Sequence, residues 1–336
     1  MQLKRPKIAV LTSGGDAPGM NAAIRAITLA CHSSGYSCIG FFHGYNGLID
    51  DEWCELTPRL VNPTLQQGGT LLKSARCKAM LTSDGVKQAA NTLYKHDIDA
   101  LIVVGGDGSF RGMLELEKEW RGQLIGLPGT IDNDLAHCDA TIGFATAVQT
   151  AASAIDKIRD TANAFERVFI VEVMGRHSGH IAFAVGLATG AEAILSFENC
   201  QPPQHDAILS ELTTAITQQQ QVRHGSYLIV CAENLWPGGA SALQKALKER
   251  AAIDSAVCIL GHIQRGGSPV VNDRLLASKL GLAAVEAVEQ QQHMVMLGEI
   301  AGNVVATALN ATVQDHKPVA SFWLKAHRSA LKGDLA

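Results

Sequence analysis

The sequence predicts an α/β protein, doubly wound, with mostly parallel sheets covered by helices. Three observations carry that expectation. First, eight short runs are almost continuously apolar: IAVLT (8–12), SCIGFF (37–42), ALIVVGG (100–106), QLIGLP (123–128), RVFIVEVM (167–174), AEAILSF (191–197), YLIVCAE (227–233) and VCILG (257–261). A strand buried on both faces reads that way, whereas a half-exposed strand alternates. Second, stretches with helical spacing lie between them: GMNAAIRAITLACHSSG (19–35), SDGVKQAANTLYKH (83–96), TAVQTAASAIDKIRDTAN (146–163) and NDRLLASKLGLAAVEAVEQ (272–290). Third, glycine-rich turns follow several of the runs, so the order strand, turn, helix repeats along the chain.

Composition narrows the function classes. The 336 residues are 47% hydrophobic and 18% charged, with a net charge of −4, so no nucleic-acid or anionic-membrane partner is expected. Any anionic ligand must be held by local basic residues. The N-terminal MQLKRPKIAVLT passes from a basic tail into the first strand without the apolar core of a signal peptide. The apolar stretch IAFAVGLATGAEAIL (181–195) is too short for a membrane span and carries Glu192. Eight cysteines are scattered with no CxxC, which points to reduced thiols in a cytoplasmic protein, mostly buried as small hydrophobes.

The first strand runs into TSGGDAPGMNAA (12–23), which opens a helix. Glycines there let backbone amides approach a phosphate, and a helix N-terminus favours an anion. The motif is neither a dinucleotide GxGxxG nor a Walker A, and a plain tight turn is the alternative reading. Further on, GGDGS (105–109) sets Asp107 alone among glycines at the C-terminal end of a buried strand. Open α/β sheets place ligands there. One reading is a carboxylate for Mg²⁺ attached to a nucleotide phosphate, and the other is an Asp in a β-turn.

PGTIDND (128–134) also follows a strand. In an extended segment Asp132 and Asp134 face the same side. One can accept a hydroxyl proton while the other helps hold metal or water; the alternative is an Asx turn capping the next helix. VMGRHSGH (173–180) brings Arg176 to a strand end, and GHIQRGGSPVVNDR (261–274) brings His262 and Arg265 before a Gly-Gly turn. With Arg76 in GTLLKSARC and Arg167 before a strand, four loop arginines in an acidic chain point to at least two phosphate sites.

Together these motifs resemble the bacterial-type phosphofructokinases nearly end to end. TSGGDAPGMNAAIR, GGT…SAR, GGDGS, GLPGTIDND, TIGF, EVMGR and LGHIQRGGSPV fall in the family's order and spacing. The resemblance implies two Rossmann-like α/β/α domains with the active site in the cleft between them. It sets a nucleotide domain at 1–142 plus 257–305 and a sugar-phosphate domain at 143–256 plus 306–336. It implies ATP-dependent phosphorylation of fructose 6-phosphate at the 1-hydroxyl, with Mg²⁺, in a homotetramer or a dimer whose sugar site is shared between subunits.

Carried onto matching positions, Gly14 and Gly15 receive the β- and γ-phosphates of ATP. Tyr45, Arg76, Cys77 and the segment Gly106, Asp107, Gly108 and Ser109 match nucleotide contacts, with Asp107 as the metal carboxylate. Thr130, Ile131, Asp132 and Asp134 match the transfer site, with Asp132 as general base. Met174, Gly175 and Arg176 match positions holding sugar and transferred phosphoryl. Glu233, His262 and Arg265 match sugar and 6-phosphate contacts, and Arg167 a contact supplied by a neighbouring subunit. The pyrophosphate-using branch carries Asp and Lys where this chain has Gly108 and Gly129, so the pocket should admit ATP.

The chain also departs from the pattern. Ala256 replaces a family Arg that reaches the 6-phosphate, leaving a lower affinity, compensation by a neighbour such as Arg250, or another acceptor such as tagatose or sedoheptulose phosphate. The family's allosteric nucleotide site keeps Arg25, Arg159 and Glu192 but has Leu29 and Pro58 where arginines belong, so weak or absent ADP activation is expected. A non-catalytic paralogue would be expected to lose Asp107, Asp132 or Arg176, and all three are present.

Overall fold

The computed structural model describes residues 6–201, 204–222 and 225–333, so the start of the N-terminal basic tail lies outside the described residues. All eight expected strands form: β1 (Lys7–Thr12), β2 (Ser37–Phe41), β4 (Ala100–Gly105), β5 (Gln123–Thr130), β7 (Val168–Val173), β8 (Ala193–Leu195), β9 (Tyr227–Ala232) and β10 (Ser255–Ile259). The four expected helices form as α1 (Met20–Ser33), α4 (Ser83–Lys95), α6 (Phe144–Phe165) and α10 (Val271–Glu289). The apolar stretch at 181–195 divides into α7 (His180–Ala188) and β8, and no described helix is long and apolar enough to cross a membrane.

Four further strands escape the apolar-run criterion. β3 (Trp53–Glu55) is a three-residue edge strand, and β6 (Ile142–Gly143) is a two-residue extension beside β5. β11 (Val295–Ile300) and β12 (Asn303–Ala308) make an antiparallel hairpin whose turn residues Ala301 and Gly302 both have positive φ. Two left-handed residues match the right-handed twist of such a hairpin. β12 is largely exposed, so its sequence lacks the continuous apolar signal.

The chain divides into two compact units: Met1–Ile131 with Leu135–Thr146 and Arg265–Lys317, and Asp132–Asp134 with Ala147–Gln264 and Pro318–Ala336. The main divisions follow Thr146, Gln264 and Lys317, where the resemblance implied 142, 257 and 305, and strand pairing accounts for the latter two. β10 is parallel to β7, which keeps the chain in the second unit until Gln264. β12 pairs with β11, and α11 (Leu309–Gln314) packs on α5 (Asp107–Leu116), which keeps it in the first unit to Lys317.

The first unit holds an eight-stranded sheet ordered β12-β11-β5-β4-β1-β2-β3, with β6 paired to β5. Its central pairs β2-β1-β4-β5 are parallel, and the two edges are antiparallel. Strands β1 and β4 have almost no exposed residue, as both-face burial requires. One core cluster packs Phe41, Leu48, Leu93, Phe110 and Trp120 against this sheet, each large side chain stabilising by roughly 1.5–3 kcal/mol. The second unit holds a parallel four-stranded sheet, β10-β7-β9-β8. All eight cysteines are free thiols, and five of them are buried.

Candidate functional site

In the first unit the glycine turns converge at the C-terminal ends of β1 and β4. Gly14, at φ 90°, turns the chain after β1, and the Ser13 amide donates to Val104 O at 3.0 Å. The GGT…SAR segment is strapped to the same turn: Gly14 N donates to Ala75 O, and Ser74 Oγ donates to Gly14 O at 2.9 Å. Asn21 on α1 holds the start of that segment, donating to Gln67 O and Gly68 O and accepting from Leu71 N at 2.6 Å. Arg76 at its end is exposed, and Cys77 is half-buried against the core.

GGDGS stands beside this turn. Ser109 is buried, and Cβ atoms built on Gly105 and Gly14 would meet its Oγ at 2.4 and 3.5 Å. Glycine at 105 is therefore a packing requirement. Asp107 opens α5, where a carboxylate suits the positive helix end, and accepts from Arg111 Nε at 3.1 Å. Its side chain stays about one-third exposed (32%), and a Cβ on Gly108 would meet nothing within 4 Å. A Cβ on Gly106 would lie 3.5 Å from Thr130 Cβ, so the end of β5 joins the group. Arg265 lies over the first turn: its Nη1 donates to Asp16 O at 2.9 Å, and a Cβ on Gly15 would sit 2.6 Å from that nitrogen.

Tyr45 packs beside the same turn. It is buried at 3% exposure, and its hydroxyl donates to Ser109 O at 2.7 Å. Burial pushes its phenol pKa well up. The ring therefore braces the GGDGS turn.

In the second unit, a web of hydrogen bonds gathers the expected acceptor-side residues. Asp132 is buried, and its carbonyl accepts from Ser178 Oγ at 3.0 Å. Glu233 Oε1 accepts from Gly175 N at 3.2 Å and Arg176 N at 2.8 Å. Met174 N donates to Oε1 of the buried Gln264 at 2.8 Å, and Asn234 Nδ2 donates to Arg176 O at 3.1 Å. Arg176 and His262 are exposed.

Other expectations are corrected here. Asn133 has φ 52°, so the 132–134 segment is not extended, and Asp132 and Asp134 do not share a face by strand alternation. Arg250 is committed to Asp206 at 2.5 Å, a pair that raises the guanidinium pKa and lowers the carboxyl's. Ala256 lies in β10. Arg159 and Glu192 pair at 3.1 Å, with Glu192 also accepting from Leu228 N. Arg167 precedes β7, against the Phe165 ring at 5.0 Å, while Arg176 follows it. A six-residue strand spans roughly 20 Å, so the two arginines do not meet within one chain.

Residues that motif reading missed include Ser178, Asn234 and Gln264, which hold backbone rather than lining a motif's glycines. Asp273 is another. Its carboxylate accepts from Gly143 N, Thr146 N and Thr146 Oγ1 at the start of α6, an N-terminal cap supplied from 127 residues away. Gly143 in turn pairs with Thr130 across β6 and β5.

A largely parallel sheet with a glycine turn under an arginine and a helix-opening acid at its strand ends defines a phosphate-handling α/β protein. The comparisons give the family. The phosphofructokinase profile matches residues 7–288, and the chain belongs to that family. It is 48% identical over 313 residues to ATP-dependent 6-phosphofructokinase 1 of Thermus thermophilus, covering 93% of this chain and 95% of that one. The ATP-dependent 6-phosphofructokinase of Clostridioides difficile is 48% identical over 281 residues, covering 83% of this chain and 85% of that one. Among solved structures, Saccharomyces cerevisiae phosphofructokinase superposes with a TM-score of 0.85 at 33% identity. That match covers 97% of this chain and 48% of the yeast chain, so this chain spans about half its length. A pyrophosphate-dependent phosphofructokinase from Marinobacter aquaeolei shares the fold at 20% identity, with a TM-score of 0.80 and coverage of 98% and 91%.

Proposed function

We propose that this chain transfers the γ-phosphoryl group of ATP to the 1-hydroxyl of fructose 6-phosphate, giving fructose 1,6-bisphosphate and ADP, a step of glycolysis in the cytoplasm. The observation that carries the reading is the 48% identity, across 93% of the chain, to a named ATP-dependent 6-phosphofructokinase. The geometry supports it in both units. The turn at Gly14 and Gly15, with the Arg265 guanidinium over Gly15 and the helix-opening segment Gly106 to Gly108 beside it, suits phosphate oxygens. Open space at Gly108 leaves room for a nucleotide.

Asp107 is the residue that would hold Mg²⁺. Its partly exposed carboxylate beside that open space fits a cation that takes one or two carboxylates and fills its shell with phosphate oxygens. Bound there, Mg²⁺ would neutralise phosphate charge. Arg76 and Arg176 stabilise negative charge spreading over the transferred group, and Thr130 helps orient it. Asp132, buried and tied to Ser178, accepts the proton of the sugar 1-hydroxyl. Met174, Gly175, Glu233, His262 and Arg265 hold the sugar phosphate, and Arg167 serves the site of a neighbouring subunit in a homotetramer, a dimer being the alternative.

Ala256 favours a second reading, a different ketose phosphate as acceptor. One missing charge-assisted contact weakens binding by roughly 1.5–3 kcal/mol. A coupled ADP-release assay with fructose 6-phosphate, tagatose 6-phosphate and sedoheptulose 7-phosphate separates the two. In the same assay Asp132→Ala should lower kcat by about 10²–10⁴-fold. Undiminished turnover by that variant removes Asp132 as the base.

A further inference from the structure

We infer that Asn234 is a positioning residue for Arg176, setting the direction of its guanidinium through the backbone. The inference deepens the proposed function and rests on the reading of Arg176 as the cation that meets the transferred phosphoryl group.

Two consecutive residues of the loop after β7 have positive φ, Gly175 at 142° and Arg176 at 58°. Glycine adopts such angles freely, but a long L side chain does not. Arginine stays left-handed only where its surroundings over-determine it, and strain of that kind collects at functional sites. Here the backbone on both sides of the residue is held. The amides of residues 174, 175 and 176 are taken by Gln264 and Glu233, and Asn234 Nδ2 donates to the carbonyl of 176 at 3.1 Å. The Gly175 carbonyl accepts from Ser178 N, closing the turn.

Of these partners Asn234 alone grips the far side of Arg176. It is itself left-handed, at φ 60°, and asparagine is among the few non-glycine residues that tolerate this. Its side chain also carries the donor that a carbonyl needs. Aspartate would keep the shape and present an oxygen to an oxygen. Glycine would keep the backbone and remove the grip. Because Asn234 is exposed, neither change threatens the core. With the grip gone, Arg176 relaxes toward the right-handed region, and its guanidinium swings away.

The test measures kcat and KM for ATP and fructose 6-phosphate in Asn234→Gly, Asn234→Asp, Arg176→Ala and the double variant Asn234→Gly with Arg176→Ala. Asn234→Gly should lower kcat by about ten- to a hundredfold, with KM for ATP within about twofold and the thermal midpoint unchanged. Asn234→Asp should fall at least as far. In the Arg176→Ala background, Asn234→Gly should cost nothing further, since its effect runs through the missing side chain. Wild-type kcat in Asn234→Gly, or an equal drop in both backgrounds, overturns the inference. Full activity in Arg176→Ala overturns instead the role of Arg176 on which it rests.

Discussion

The turn after β1 and the loop after β7 solve the same problem by different means. Both bend the chain sharply at the C-terminal end of a parallel strand. In the first, the positive φ angles fall on Gly14 and Gly19, and main-chain bonds from Ser13 and Gly14 are joined by side-chain bonds from Ser74 and Arg265. In the second, one falls on Arg176, which is held by side chains of Glu233 and Asn234. A turn made by glycine announces itself in the sequence. A left-handed arginine held by distant side chains does not, and it sets a charged side chain at a position where the first turn has glycine.

Three changes sharpen that contrast. Gly108→Asp should do most. Its Cβ meets nothing within 4 Å, so the fold survives, but a second carboxylate enters the phosphate-receiving turn. A like charge near 4 Å costs about 1–4 kcal/mol, so ATP-dependent turnover should fall roughly ten- to a thousandfold with unfolding unchanged. Unchanged turnover would show that the phosphates bind elsewhere.

Gly14→Ala tests the encoded turn. At φ 90° an alanine is strained, and urea unfolding should show a loss of roughly 1–3 kcal/mol. Arg176→Gly relieves a left-handed residue and should show no such loss. Equal losses would break the distinction between the two turns.

Asp273→Asn probes a third arrangement, a helix start completed by a remote carboxylate. Removing one acceptor leaves a buried amide without a partner, at a cost of about 1–3 kcal/mol. Burial raises the Asp273 pKa, against hydrogen bonds from Thr146 and Gly143 that lower it. The folded state thus holds this proton more tightly than the unfolded chain. The group's contribution is complete below the ordinary carboxylate value and is lost as pH rises through the raised one. The stability gap between wild type and variant should therefore be widest in acid and narrow across that window. Unfolding curves at several pH values would expose a gap that widens instead.

Legibility followed the same physics. β1 and β4 were visible because burial on both faces demands unbroken apolar runs, whereas β12 is mostly exposed and β6 has two residues. Gly14, Asp107 and Arg265 stand in motifs that the sequence shows, and they fall within one unit; that Arg265 lies over the turn after β1 was not legible. The bond from Tyr45 to Ser109 O was not legible, because a motif position does not say which backbone group a hydroxyl will meet. The shared face of Asp132 and Asp134 failed on a single dihedral, that of Asn133.

By itself the sequence determined the strand–turn–helix order, the family, and the residue types able to do phosphate chemistry. Each of those rests on local or near-local pattern: apolar continuity, glycine where φ must be positive, an acid opening a helix. Only the tertiary structure decided that Asn234 grips Arg176, that Asp273 caps α6, and that Arg250 is taken by Asp206. Those pairings join residues 44 to 127 positions apart, and nothing in a residue's neighbours along the chain specifies which distant backbone group its side chain will meet.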